Sequence, residues 1–181
     1  MEAIECIKTR RCVRKYTDQP VARETIAEIV ETAAYAPSWK NTQTSRYLAI
    51  MNPETRREIA ENCVLDFAGN KRIIEGAPVL VLLLTVDGRS GYERDGSFTT
   101  SKGTHWQSFD AGIASETFCL AAHDKGLGTV VMGIYDEAKV KAAAGVPEGQ
   151  SVSAMIALGY PAEEPGAPKR KTVEELLTYC E

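Results

Sequence analysis

Apolar residues recur at helical spacing in some stretches of the chain and run almost unbroken in others. Ile26, Ile29, Val30 and Ala33 predict a helix over about Ala22–Ala34, stopped by Pro37. Ile4 and Ile7 mark a shorter helical pattern before it. Arg46–Met51 alternates and reads as a strand, and Pro53 opens a helix that runs to about Val64, as a first-turn proline does. Val79–Leu84 is nearly all apolar, the pattern of a central strand covered on both faces. Trp106–Lys125 is strongly helical. Its Phe109, Ile113, Phe118, Leu120 and Ala121 would be buried on more than one side, with Ala111, Gly112 and Ala114 permitting close packing. Gly126 ends that helix as a left-handed glycine. Gly128–Ile134 and Val152–Leu158 read as two further strands, and Asp136 caps a helix through Ala144 between them.

Two segments break the periodicity. Asp87–Gly103 is a long loop rich in Gly, Ser and Thr, with Tyr92 and Phe98 inside it, and reads either as a lid or as surface slack. Pro161–Pro168 holds three prolines and few apolar residues, which predicts an extended tail poorly packed on its own core. Lys169-Arg170-Lys171 and a short amphipathic finish (Val173, Leu176, Leu177) follow. Residues 1–181 read as a single domain, with 160–181 as an extended C-terminal tail. Strands and helices interleave without strict βα alternation. Gly126-Leu127-Gly128 lies between a helix and a strand, the wrong way round for a dinucleotide fingerprint, and there is no Walker motif. A cofactor here must be gripped by arginines and loops.

The 181 residues are 44% hydrophobic and 25% charged, the make-up of a globular domain. A formal charge of −4 argues against a nucleic-acid partner, and the longest apolar run, Ala77–Val86, is too short to span a membrane. The acidic N-terminus lacks a signal-peptide layout. Five scattered cysteines with no paired spacing, and two histidines without ligand spacing, give no metal site and point to a reducing, cytoplasmic compartment. Against this acidic background, Arg10, Arg11, Arg14 and Lys15 fall within six positions before the turn Asp18-Gln19-Pro20. Cations this dense repel one another unless an anion sits among them, and the arginine fork suits phosphate. The alternative is a solvated basic face. A second segment, Ala34–Gln43, weighs toward the anion.

These motifs, in this order, resemble the FMN-dependent nitroreductase family over nearly the whole chain. Arg10-Arg11-Cys12-Val13-Arg14-Lys15-Tyr16 is similar to the family's Arg-Arg-Ser-x-Arg-x-aromatic pattern. Ala36-Pro37-Ser38-Trp39-Lys40-Asn41-Thr42-Gln43 is similar to its Ala-Pro-Ser-x-x-Asn-x-Gln. Phe109–Ala114 leading to Ala121–Thr129, and Leu158-Gly159-Tyr160-Pro161 with Lys169-Arg170-Lys171, complete the resemblance. It departs at Cys12, where serine is usual and where a thiol donates more weakly. It departs again at Thr44-Ser45, in place of Pro-Trp.

The resemblance implies an α+β fold: a central, mostly antiparallel sheet flanked by helices, in an intertwined homodimer whose C-terminal tail wraps the partner. It implies FMN as cofactor and NADH or NADPH as electron donor. Arg10, Arg11, Cys12 and Arg14, with Lys169 or Arg170, would surround the phosphate. Asn70 and Arg72 would meet the polar edge of the flavin ring. Met132 and Gly133 would lie near its reactive N5 side, with Met132 equally readable as core. Pro37, Ser38, Trp39 and Asn41 would reach the partner subunit's flavin. Trp106 is the best candidate for a wall of the substrate channel, against core or loop packing as the plainer reading, while Phe109 is assigned to the core. The expected activity is ping-pong reduction of a small electron-poor acceptor, a nitroaromatic or quinone, with no side chain acting as catalytic acid or base. Two alternatives stay open: another flavin reaction on the same scaffold (reductive dehalogenation or oxidative dehydrogenation), and a non-catalytic flavin-binding or storage protein.

Overall fold

The computed structural model describes all 181 residues. In chain order the elements are α1 (Ala3–Thr9), α2 (Arg23–Ala33), a 3-10 turn (Trp39–Asn41), β1 (Ser45–Ile50), α3 (Pro53–Asn62), α4 (Ala68–Gly76), β2 (Val79–Val86), α5 (His105–Asp124), β3 (Gly128–Met132), α6 (Glu137–Ala144), β4 (Gln150–Gly159) and α7 (Val173–Leu176). The four strands form one sheet in the order β1-β2-β4-β3, and every pairing between them is antiparallel. No helix is long and apolar enough to cross a membrane.

Strand β2 shows why the sheet is covered on both faces. Its odd residues Val79, Val81 and Leu83 pack under α2 and α5, against Ile29, Phe118 and Leu127. Its even residues Leu80, Leu82 and Leu84 pack under α3, α4 and α6, against Ile59, Ile74 and Val140. Each such side chain taken out of water stabilises the fold by roughly 1.5–3 kcal/mol. The partner strand β4 keeps step only by a bulge, where Leu83 pairs with Ala154 and Leu84 with Val152. The extra residue, Ser153, lets Val152 share a face with Met155 and Ala157.

Local chemistry sets the helix ends. The Asn52 side chain accepts the amides of Glu54 (2.8 Å) and Thr55 (3.0 Å) ahead of Pro53, and Asp136 accepts that of Lys139 (3.1 Å). Gly126 leaves α5 at φ 76°, a conformation other residues adopt only at a cost. Small residues on α5, among them Ala111, Ala114, Ala121 and Ala122, let a 20-residue helix lie close on the sheet.

Three expectations need correction. Phe109 is not core: it is 56% exposed, because α5 buries the stripe running through Asp110, Ala114 and Phe118. Helix α4 has no counterpart in the periodicity, since Ile73 and Ile74 are its only large apolar residues and Gly69 and Gly76 dilute it. The start of the tail is tied down by backbone bonds: Ala162 N–H donates to Lys15 O and Thr17 N–H to Tyr160 O, both at 2.9 Å.

Candidate functional site

The basic segment begins where α1 stops. Arg10 leaves the helix with extended dihedrals (φ −55°, ψ 135°), and the next residues run beside β3, with Val13 N–H donating to Thr129 O at 2.9 Å. The Arg10 Nε donates to Glu116 of α5 (3.1 Å). The Arg11 guanidinium covers the carbonyls of Lys8 (2.7 Å) and Arg10 (2.8 Å), where a helix end carries partial negative charge. The Arg14 guanidinium is exposed, and its one internal bond is to Cys12 O at 3.3 Å. The Cys12 thiol is free and exposed. Arg10 and Arg11 line a cleft of about 890 Å³ together with Thr9, His123, Glu163 and Glu164. Burial, reinforced by Arg10 and Arg11, pushes the His123 imidazole below its ordinary pKa.

The far end of β3 holds the next group. The Met132 side chain is buried in the core under α3, α4 and α6, so only its backbone faces outward chemistry. Gly133 is exposed, and a side chain there would meet nothing within 4 Å. Asn70 on α4 is buried, its Nδ2 donating to Ile134 O at 2.9 Å, while Arg72 on the same helix is exposed. From Thr129 to Ile134 the chain covers five residue steps, about 16 Å in strand geometry. Arginines thus stand at one end of an edge strand, with Asn70 and an open glycine at the other.

The Pro37–Asn41 loop is elsewhere. It precedes β1, at the opposite edge of the sheet from β3 and three strand spacings away, about 14 Å. Within one chain it does not join the β3 groups. Lys40, Asn41 and Gln43 all have positive φ (46°, 54° and 48°), though none is glycine. Backbone held in such sparsely populated regions costs on the order of 1–3 kcal/mol per residue and persists only where the surroundings enforce it. Three side chains do so. Asp110 accepts the Trp39 N–H (2.9 Å), Ser38 Oγ accepts the Gln43 N–H (2.9 Å), and the Arg46 guanidinium donates to Gln43 O (2.9 Å) and Ser45 O (2.8 Å). The Trp39 ring lies 4.6 Å from that of Trp106, and its Nε1 is buried without a partner in the chain.

The long loop after β2 packs onto the same region. Glu93 N–H donates to Ser97 O (2.8 Å) and Thr99 N–H to Gly91 O (3.0 Å), closing a turn in which the Tyr92 and Phe98 rings meet at 4.9 Å, tilted by 52°. Trp106 Nε1 donates to Thr100 Oγ1 (2.8 Å), and Lys40 pairs with Glu93 (3.3 Å). Lys169 and Arg170 are exposed and make no ion pair or hydrogen bond within the chain. In the tail it is Glu163 that meets the basic segment, accepting the Arg14 N–H (3.0 Å) and lying 3.9 Å from Lys15 Nζ. Sequence reasoning missed both Glu163 and Asp110. For Asp110 a signal existed: a carboxylate one helical turn from Ala114, on the apolar stripe of α5.

The family model of the nitroreductase family matches residues 7–72 and 65–160. An NADH dehydrogenase of Thermus thermophilus is 28% identical over 192 residues, covering 94% of this chain and 92% of its own. An FMN reductase [NAD(P)H] of Bacillus subtilis is 32% identical over 139 residues, covering 73% and 54% respectively. The crystal structure of a nitroreductase family protein from Streptococcus pneumoniae superposes with a TM-score of 0.85 at 21% identity, over 98% of this chain and 99% of the other. The fold is that of the nitroreductases, and the chain belongs to the nitroreductase family. Its relatives are named as NAD(P)H oxidoreductases, so an oxidoreductase role goes with membership.

Proposed function

We propose that this chain is an FMN-dependent NAD(P)H oxidoreductase, acting as a homodimer, that reduces small electron-poor acceptors such as nitroaromatics or quinones. The observation that carries the reading is the β3 edge, where exposed cations at one end and Asn70 with the open Gly133 at the other are spaced for an elongated anionic cofactor. The donor set fits FMN. Arg10, Arg11 and Arg14 offer guanidinium and backbone donors to a phosphate, with Cys12 a weak donor among them. Lys169 and Arg170, exposed and unpaired on the tail, would add cations to the same anion. Asn70 and Arg72 offer polar contact to a ring edge, and a cation there favours an electron-rich ring. FMN held by these residues would supply the hydride chemistry between NADH or NADPH and the acceptor.

The protein's part is to bind, orient and shield. Met132 and Gly133 present backbone and open space on which a flat ring can rest. Pro37, Ser38, Trp39 and Asn41, far from β3 in their own chain, serve the partner subunit's site. The left-handed backbone of Lys40, Asn41 and Gln43 in that loop is already set, so reaching across a dimer interface costs no further ordering. Exposed Phe109 (56%), Val131 (47%) and Ile134 (45%) form apolar surface that a second copy would cover. One cleft serving donor and acceptor in turn gives ping-pong kinetics, and protons come from water.

The test is direct. Purified protein should carry a visible flavin spectrum that NADH or NADPH bleaches without oxygen, with colour restored by a quinone. Sedimentation should give a dimer. Bound flavin that neither nucleotide bleaches would favour the storage reading, and a colourless protein that fails to take up added FMN overturns the assignment.

A further inference from the structure

We propose that Asp110 is the positioning residue for the Ser38–Gln43 loop, holding it in the place the partner's site requires. This rests on the reading that the loop serves the neighbouring subunit.

Three residues of α5, each one turn apart, face the loop and β1. Trp106 packs against the Trp39 ring at 4.6 Å, Asp110 accepts the Trp39 N–H at 2.9 Å, and Ala114 O accepts the Tyr47 hydroxyl at 3.4 Å. Asp110 is 3% exposed, and the Trp39 amide is the one hydrogen-bond donor its carboxylate meets in the chain. A buried carboxylate costs much free energy unless it is matched, so this pairing is strongly directional. The amide it fixes opens a segment in which Lys40, Asn41 and Gln43 are left-handed.

The loop is closed on itself by Asn41 N–H to Ser38 O (3.0 Å), Thr42 N–H to Trp39 O (2.8 Å) and Gln43 N–H to Ser38 Oγ (2.9 Å). Those bonds define its internal shape but not its placement on the body of the protein. Arg46 steadies the exit, through Gln43 O and Ser45 O. At the entrance the fixed point is Asp110, on a helix whose next turns are buried in the core. A cavity of about 350 Å³, walled by Pro37, Ser38, Gln43, Arg46, Tyr47 and Asp110, leaves the loop room to shift if that point is lost.

The experiment uses FMN-loaded full-length dimers. Asp110→Leu fills the site without an acceptor, and Asp110→Ala is a second form should leucine not fold. Asp110→Asn keeps an acceptor of the same reach. The expected result is a fall in kcat for NADPH-dependent quinone reduction of about tenfold or more in Asp110→Leu, the cost of one charge-assisted bond. Asp110→Asn should stay within about threefold of wild type, and FMN content should be unchanged in both. Heterodimers locate the effect. A chain carrying Arg14→Ala paired with one carrying Asn41→Ala tests the shared site itself, and should recover roughly half of wild-type activity. The same Arg14→Ala chain paired with Asp110→Leu should recover equally. Failure of the first pair overturns the shared-site reading. Recovery of the first pair without the second, or wild-type kcat in Asp110→Leu, overturns the role given to Asp110. Asp110→Asn as damaged as Asp110→Leu at an unchanged melting temperature overturns it too.

Discussion

The two edges of the sheet are built on opposite principles. At the β3 edge the chain is held by backbone pairing, and beyond the engaged Arg10 and Arg11 its charged groups are left loose. Arg14 has one long internal bond, and Arg72 is exposed with no internal partner. At the β1 edge there is little free charge, yet the Ser38–Gln43 backbone is pinned through the Trp39 and Gln43 amides and the Gln43 carbonyl, and three of its residues hold an unfavourable backbone shape. An anion site works by leaving donors unsatisfied until the ligand arrives. A loop meant for a neighbour works by being finished beforehand, so that association does not have to order it.

The largest effect should come from removing the tail. Truncation after Tyr160 deletes the Ala162–Lys15 backbone bond, the Glu163–Arg14 contact, Lys169 and Arg170 together. Flavin content and dimer stability should fall together, read by absorbance and sedimentation. A truncated dimer that keeps its full complement of flavin would sink the tail's assigned part.

Point changes should then separate the edges. Arg14→Ala should weaken FMN binding by about ten- to a hundredfold, the loss of one or two charge-assisted bonds. Riboflavin, lacking the phosphate, should bind wild type poorly. Asn41→Ala should instead lower kcat while the FMN dissociation constant stays near wild type. Equal affinity for riboflavin and FMN removes the phosphate from the β3 edge, and matching losses of FMN affinity in both variants erase the contrast between the edges.

A smaller effect probes how the basic segment is seated. A Cβ on Gly128 would lie 2.7 Å from Val13 Cβ and Cγ2, far inside normal contact, so the segment must move off β3 in Gly128→Ala. Overpacking of this kind costs about 1–3 kcal/mol. The melting temperature and FMN affinity should drop together. Gly133→Ala, at a position with open space around it, should leave the melting temperature unchanged. If Gly128→Ala binds FMN like wild type, the close fit to β3 does not set the arginines.

How much of this the sequence disclosed follows from the kind of signal each part leaves. Strand β2 was legible because six consecutive apolar residues admit few readings. The arginines were legible because four cations in an acidic chain are out of place. Helix α4, which carries Asn70, was not, because two isoleucines and two glycines make no period. Phe109 was misplaced because periodicity alone does not say which stripe of a 20-residue helix turns inward. Asp110 could be noticed as a carboxylate on an apolar stripe, but its role could not be read. Its partner is a backbone amide 71 residues away, and backbone groups carry no sequence.

The smallest expected effect concerns His123, which links the end of α1, just before the basic segment, to α5. Its Nε2 lies 2.9 Å from Thr9 Oγ1, and the Thr9 hydroxyl already donates to Glu5 O (2.7 Å), so the ring donates to Thr9. Burial, then the charges of Arg10 and Arg11, lower its pKa from the ordinary 6.5, with Asp124 opposing. The folded chain therefore takes up this proton less readily than the unfolded chain. By linkage the stability tied to neutral His123 is present in full above about pH 6.5 and is lost as the pH falls from there through the lower folded-state value. The urea midpoint of flavin-free protein should drop between pH 7.5 and 5.5 more than that of His123→Asn. An anion seated among the arginines offsets two of the charges that lower this pKa, so saturating FMN should shrink the difference between the two proteins. If they lose stability in parallel without FMN, His123 does not report on the cluster. If FMN leaves the difference intact, the phosphate lies outside the field of Arg10 and Arg11, and the β3 edge is not where it binds.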